Sequence, residues 1–433
     1  MDSISSSTSV YTAQSKRTVN PIVIIGALFF VFGFVTWLNG TLIPFLKLAC
    51  QLETDIQAFF VTFAFYMAYF FMAVPSSYIL KKVGFKNGMA LGLLVMAGGS
   101  LVFIPAAQAR SFELFLSGLF IQGTGLALLQ TASNPYISII GPLESAAKRI
   151  SIMGICNKVA GMLSPVILGA LVLSDAGAIE TSITSATDSA TREFLLDALA
   201  LRLVTPYIVM AFVLAVLAFI IKKSSLPEID DQNESVGQDQ ETAKTSVFQF
   251  PHLLLGVLCL FVYLGVEVMA GDAIGAYGKE LGMPLDETKY FTSFTLFCML
   301  AGYIVGIFAI PKYISQQKAL LVSAILGSVF TLCVYWTEGY IAITFIALLG
   351  LANALMWPAI FPLAIAGLGR FTKIGSALLI MGIAGGALVP LLYTYLKDSG
   401  ITNNHLAFLL CMLPCYLYIC YYSTFGYKVG RQP

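Results

Sequence analysis

Three charged side chains stand inside runs that are otherwise apolar. Lys158 lies mid-way along the run 150–174, beside Asn157, and Glu267 and Asp272 lie in GVEVMAGDAIGAYG within the run 252–277. A lone charge at bilayer depth costs at least about 2.5 kcal/mol on insertion scales, so Lys158 calls for a carboxylate partner or water, and Glu267 is the best candidate partner. Five residues separate Glu267 from Asp272, about 140° on a regular helix. They face different directions unless Gly265, Gly271, Gly275 and Gly278 let the helix bend or unwind. Asp272 is also nearer the helix end, where water would wet it. A carboxylate that gains or loses a cation alters which conformation is accessible, which makes Glu267, Asp272 and Lys158 the cation-coupling candidates, with Glu267 the place for a sodium ion. Solvated or structural roles are the plain alternative.

Neutral polar side chains gather as well. Gln130 and Asn134 are four apart on one helix face, with Ser138 a turn further; Thr36 and Asn39 are three apart beside Trp37; Asn157 adds another amide; Asn353 is four before Trp357. Interhelical hydrogen bonds, worth about 1 kcal/mol each in a membrane, account for such amides without any ligand. Amides and indoles drawn from several helices also suit a sugar: donors and acceptors match ring hydroxyls, and an indole face packs on the C–H side. On that reading Asn39, Gln130, Asn134, Asn157, Asn353, Trp37 and Trp357 contact substrate.

The elements that carry these residues are set by composition. Of 433 residues 58% are hydrophobic and 11% charged, with mean hydropathy +0.85; an average soluble domain is roughly a quarter charged. Such a surface must face lipid. A soluble enzyme is excluded, and Lys+Arg 24 against Asp+Glu 23 leaves no basic field for nucleic acid. Seven of the eight cysteines lie in apolar runs without a C-x-x-C pair, and there are two histidines, so neither a disulfide framework nor a metal site is expected. No phosphate-binding G-x-x-x-x-G-K-[ST] loop occurs.

Twelve runs reach the length of about 20 residues that a bilayer core requires: 22–46, 57–80, 88–107, 112–140, 150–174, 203–221, 252–277, 290–310, 319–336, 340–366, 374–396 and 404–426. An even number puts both termini on one side. Sixteen Lys and Arg fall on that side and seven on the other, which makes it the cytoplasmic side. The polar stretch KKSSLPEIDDQNESVGQDQETAKTS reads as a linker between halves. The segment 174–202 lies outside and is given no role. I-M-G-I followed by G-x-x-x-P occurs at 152–165 and again at 380–390, and Asn134-Pro135 is echoed by Trp357-Pro358. Together these predict an all-α membrane protein of two six-helix bundles with a site between them. The divisions are a cytoplasmic tail 1–21, bundles 22–221 and 252–426 joined by a linker 222–251, and a tail 427–433.

FFVFGFVTWLNGTLIPFLK at 29–47 and LLQTASNPYISIIGP in the fourth run resemble the fucose, galactose and glucose cation symporters of the major facilitator superfamily. NKVAG at 157–161 and MWPAIFPLAIAGLGRFTKIGSALLIMGIAGGALVP at 356–390 extend the resemblance over most of the membrane part. It implies the major facilitator fold, a cavity opened alternately to each side, and sugar uptake driven by a proton or sodium gradient. The chain also departs from the fucose branch. An acidic residue there follows the asparagine of the first run, where this chain has Gly40, and a glutamate precedes T-A-x-N-P, where this chain has Gln130. The asparagine of the fifth run is retained as Asn157. Coupling then falls to Glu267, Asp272 and Lys158, and the pattern is closer to the glucose/galactose branch.

The expectation is therefore a monomeric importer of a neutral hexose in the plasma (inner) membrane, both termini cytoplasmic. It needs no cofactor beyond the co-transported H+ or Na+ and no partner beyond sugar and the lipid bilayer. Import of N-acetylglucosamine or fucose, passive facilitation, and proton-coupled drug export are the alternatives.

Overall fold

The computed structural model describes residues 21–139, 146–173, 175–186, 188–224, 226, 245–310 and 312–430, and these are helical almost throughout. In lipid each backbone N–H and C=O must be satisfied within its own segment, so apolar runs of this length become helices. Among the described residues eleven helices are long and apolar enough to cross a bilayer, and one of them, Asp55–Gln108, is 54 residues long. It is spans two and three in series. Gly84, at φ 79° and ψ 169°, breaks it inside LKKVGFKNG, a conformation open to glycine at little cost.

Four other spans are interrupted. Span one is Pro21–Thr36 followed by Asn39–Ala49; span seven is Pro251–Gly271 followed by Ile274–Glu280. Span ten is Gly339–Asn353 and Met356–Ile365, and span eleven runs Thr372–Met381, a 3-10 turn Gly382–Ala384, then Gly385–Asp398. Spans four (Phe112–Ile139), five (Ala146–Val172), six (Val204–Lys223), eight (Phe291–Ala309), nine (Gln316–Trp336) and twelve (Asn404–Thr424) are continuous. Non-helical backbone at this depth is tolerated where it is packed in protein or lines a cavity, and the interruptions mark where such a cavity forms.

Spans one to six pack into one bundle and spans seven to twelve into another. The bundles meet along span two against span eleven and span five against span eight. Small residues permit the closest approaches: a Cβ on Gly33 of span one would overlap the Asn157 backbone carbonyl of span five. On the face opposite the chain ends, here the far face, the segment 174–202 folds into two short helices, Ala176–Ser185 and Ser189–Leu201. Asp188 caps the second, accepting from the Thr191 hydroxyl at 2.9 Å and the Thr191 N–H at 3.0 Å, which holds its carboxyl below the usual carboxylate range. Apart from Pro21, the expected tail 1–21 lies outside the described residues, as do 227–244 of the linker, 431–433 of the C-terminal tail and the side chain of Ser138.

Candidate functional site

Where the interruptions converge, a cavity of about 100 Å³ opens at mid-span. On this measure one water needs roughly 10–15 Å³, so the space suits a guest the size of a monosaccharide ring. Phe29, Phe32, Thr36 and Trp37 of span one line it with Tyr66 and Tyr69 of span two. Gln130 and Asn134 come from span four, and Asn157 and Lys158 from span five. Tyr263 and Glu267 of span seven, Tyr303 of span eight and Trp357 of span ten face them from the other bundle.

The amides lie on the N-terminal-bundle side. Gln130 donates from Nε2 to the Tyr69 hydroxyl at 3.0 Å, and Asn157 donates from Nδ2 to the Phe29 carbonyl at 3.5 Å. Each keeps an amide oxygen that can accept from a ligand hydroxyl. Aromatic faces dominate the C-terminal-bundle side: Trp357 stacks on Phe361 at 5.9 Å and is tilted against Tyr263 at 6.5 Å. Gly154 makes room for Tyr303, whose Cε1 a Cβ there would meet at 2.7 Å.

Lys158 and Glu267 close the cavity and join the bundles. Lys158 Nζ donates to Glu267 Oε1 at 2.7 Å, both side chains being 7% exposed, and the ammonium lies over the Trp37 ring, 4.4 Å from its centroid. The carboxylate partner expected for Lys158 is present. A sodium ion at Glu267 would have to displace that ammonium, and among the described residues no group of three His, Cys, Asp or Glu could hold a metal.

Three sequence candidates lie outside the cavity lining. Asn353 is fully buried between spans, accepting from the Tyr416 hydroxyl at 2.8 Å and donating to the Val266 carbonyl at 3.4 Å. Asn39 is buried with neither amide atom hydrogen-bonded. Asp272 is 1% exposed, which corrects the expectation that water wets it; the Gly271 beside it packs against the Trp37 ring, which is itself part of the lining. Trp37, Gln130, Asn134, Asn157 and Trp357 are all in the lining. Missed from sequence were the tyrosines 66, 69, 263 and 303, one signal for which was the three-residue spacing of Tyr66 and Tyr69.

On the far face the bundles are clasped. Lys397 of span eleven bonds Asp55 of span two, which also receives Lys47, and bonds Glu280 Oε1 at 2.9 Å. The Ile56 N–H donates to Asp398 Oδ2 at 3.0 Å, Lys279 pairs with Glu180 at 2.8 Å, and Lys289 donates to the Leu173 carbonyl at 2.6 Å. These contacts tie the two bundles together on that face, and Asn134, Ile150 and Pro358 also line the cavity.

The family model described as Major Facilitator Superfamily matches residues 25–390. The chain belongs to the major facilitator superfamily. A glucose/galactose transporter of Brucella abortus is 34% identical over 420 residues, 96% of each chain. The L-fucose-proton symporter of Escherichia coli is 27% identical, with 89% of each chain covered. Among solved structures, the superfamily transporter FucP in the outward conformation superposes with TM-score 0.74 at 26% identity, covering 94% of this chain and 99% of that one. A D-xylose-proton symporter at 14% identity and TM-score 0.62 shares the fold. This superfamily member therefore places its inter-bundle cavity where the notched spans one, seven, ten and eleven meet.

Proposed function

We propose that this chain is a secondary active transporter that imports a neutral hexose of the glucose/galactose type by alternating access, coupled to a cation gradient. The observation that carries the reading is the cavity itself. Three amides on one wall face indole and phenol rings on the other, around an ion pair whose charges cancel, which suits an uncharged polyhydroxylated ring. Among the described residues no methionine lines it, as would suit lipophilic drugs. The cavity is complete within one chain, so a monomer suffices. The sixteen-to-seven bias of Lys and Arg supports a reading with both termini on the cytoplasmic side of the cell membrane. Names of the relatives support the substrate class: they include glucose/galactose transporters and L-fucose-proton symporters.

A passive facilitator is the second reading, favoured by one fact: Lys158 is already paired with Glu267 at 2.7 Å, so the cavity presents a hexose with no unpaired charge. Uptake of labelled glucose, galactose, fucose and N-acetylglucosamine into proteoliposomes, under separate proton and sodium gradients, tests both. Accumulation of a hexose under either gradient is expected. Equilibration without accumulation under both would leave the facilitator, and no uptake of any of the four would overturn the sugar reading.

A further inference from the structure

We propose that the co-transported cation is a proton and that Asp272 carries it, the Lys158–Glu267 pair staying intact; this rests on the symporter reading above. Charge gives the first reason. The titratable and charged groups facing Asp272 are Glu267 on its own span, Lys158 of span five and Tyr66 of span two, while spans one and eight present Gly40 and Thr292. One ammonium serves two carboxyls. Lys158 is committed to Glu267 at 2.7 Å, so Asp272 needs a cation of its own to be buried without net charge.

Geometry gives the second reason. Both Asp272 carboxyl oxygens are buried and neither has a hydrogen-bond partner, an arrangement that a neutral acid tolerates far better than a carboxylate. The group is turned toward the Gly40 backbone amide, at the seam where span one of one bundle meets spans seven and eight of the other. Packing there is tight. A Cβ on Gly40 would overlap the Thr292 hydroxyl, and one on Gly271 would overlap the Trp37 ring. A side chain at position 40 has no room, and the acid at this seam is supplied across it by span seven.

The neighbouring carbonyls argue for a proton over sodium. A sodium site needs several oxygens around the ion, but the Gly271 carbonyl accepts from the Thr292 hydroxyl and the Ala270 carbonyl from the Thr295 hydroxyl, each at 2.8 Å. A proton needs one oxygen. When the far face opens, the seam parts and Asp272 meets water as a carboxylate. A hydronium ion gives it a proton, an O–H bond forming on the carboxyl as one on the hydronium breaks and water departs. The seam can then close on the neutral acid. After the opposite face opens, the proton passes to water entering the cavity past Trp37, and the carboxylate holds the seam open until it is reloaded.

Proteoliposomes of the full chain, holding a pH-sensitive dye and challenged with labelled glucose and galactose, test this. With one proton per sugar, a gradient of one pH unit sustains about a tenfold sugar gradient in the wild type. Asp272→Asn is expected to bring that ratio to about one and to abolish the sugar-induced pH change in the lumen, while labelled sugar still exchanges for unlabelled. Asp272→Glu should restore part of the pumping, which a merely structural role would not predict. Tenfold accumulation by Asp272→Asn overturns the inference and leaves the transporter reading standing. So does wild-type accumulation that follows a sodium gradient with no movement of protons, a result independent of any variant. A wild type that exchanges none of the sugars overturns the transporter reading itself.

Discussion

Two sets of ion pairs cross between the bundles, and their surroundings differ. At mid-depth Lys158 and Glu267 are each 7% exposed at the wall of the cavity, with the Lys158 ammonium over the Trp37 ring. On the far face the crossing pair Asp55–Lys397 is 10% and 11% exposed, but its outer partners Lys47 and Glu280 are 40% and 41% exposed and open to water. Bundles that rock about mid-depth move little at the pivot and far at the rim. The mid-depth pair can persist in every state, and because its surroundings are dry, losing one partner is expensive. The rim pairs must part each time that face opens, so they are useful only if they are individually weak. Depth, more than the nitrogen-to-oxygen distance, decides which pair is scaffold and which is clasp.

The largest effect should come from unbalancing the mid-depth pair. Lys158→Met leaves Glu267 as an unpaired buried charge, at a cost of about 3–5 kcal/mol. Thermal unfolding in detergent should show a marked drop, and transport should fall by about 100-fold or more. Adding Glu267→Gln to the same protein should return the melting temperature close to the wild-type value without returning accumulation. A double variant no more stable than the single one would show that the pair is not an isolated charge balance. Trp37→Leu comes next, since it removes the ring from beneath the ammonium and its packing against Gly271, beside Asp272. A desolvated cation–π contact is worth about 2 kcal/mol, so about a 30-fold weaker half-saturation for sugar is expected, read by initial-rate uptake.

The contrast also shows which residues could be placed from sequence. Lys158 was legible because a lone cation at bilayer depth has few ways to be accommodated, and Glu267 was the nearest plausible partner. Gln130 and Asn134 share a face as their spacing implies, because span four is continuous, Phe112–Ile139. The same reasoning fails for Asn39, paired with Thr36, and for Asn353, paired with Trp357. In each case the helix is interrupted between the two residues, at Trp37–Leu38 and at Ala354–Leu355, so one enters the cavity and the other turns into a helix contact. Neither interruption contains Gly or Pro, so the usual punctuation was missing. The twelve spans were readable for the reason opposite to the tyrosines: long apolar runs have one reading in a bilayer, whereas aromatic residues make up 13% of the chain and serve lipid-facing walls as readily as a cavity.

At the rim the expected effects are smaller and depend on salt. Asp55→Asn removes the carboxylate that Lys47 and Lys397 share and leaves Lys397 its bond to Glu280. Because Lys397 stays paired with the 41% exposed Glu280 and Lys47, 40% exposed, is taken up by water, the net cost is about 1 kcal/mol, and the balance between shut and open far face should move about fivefold toward open. Distance distributions between spin labels on the far-face ends of spans one and seven would show it, and raising ionic strength should mimic the substitution in the wild type. Lys279→Ala should do least. Lys279 and Glu180 are 35% and 38% exposed, and within about 0.5 kcal/mol their loss should leave the same distributions unchanged. A shift for Lys279→Ala as large as that for Asp55→Asn would mean the rim acts as one cooperative network. The rim would then be scaffold as much as clasp, and the distinction drawn by depth would fail.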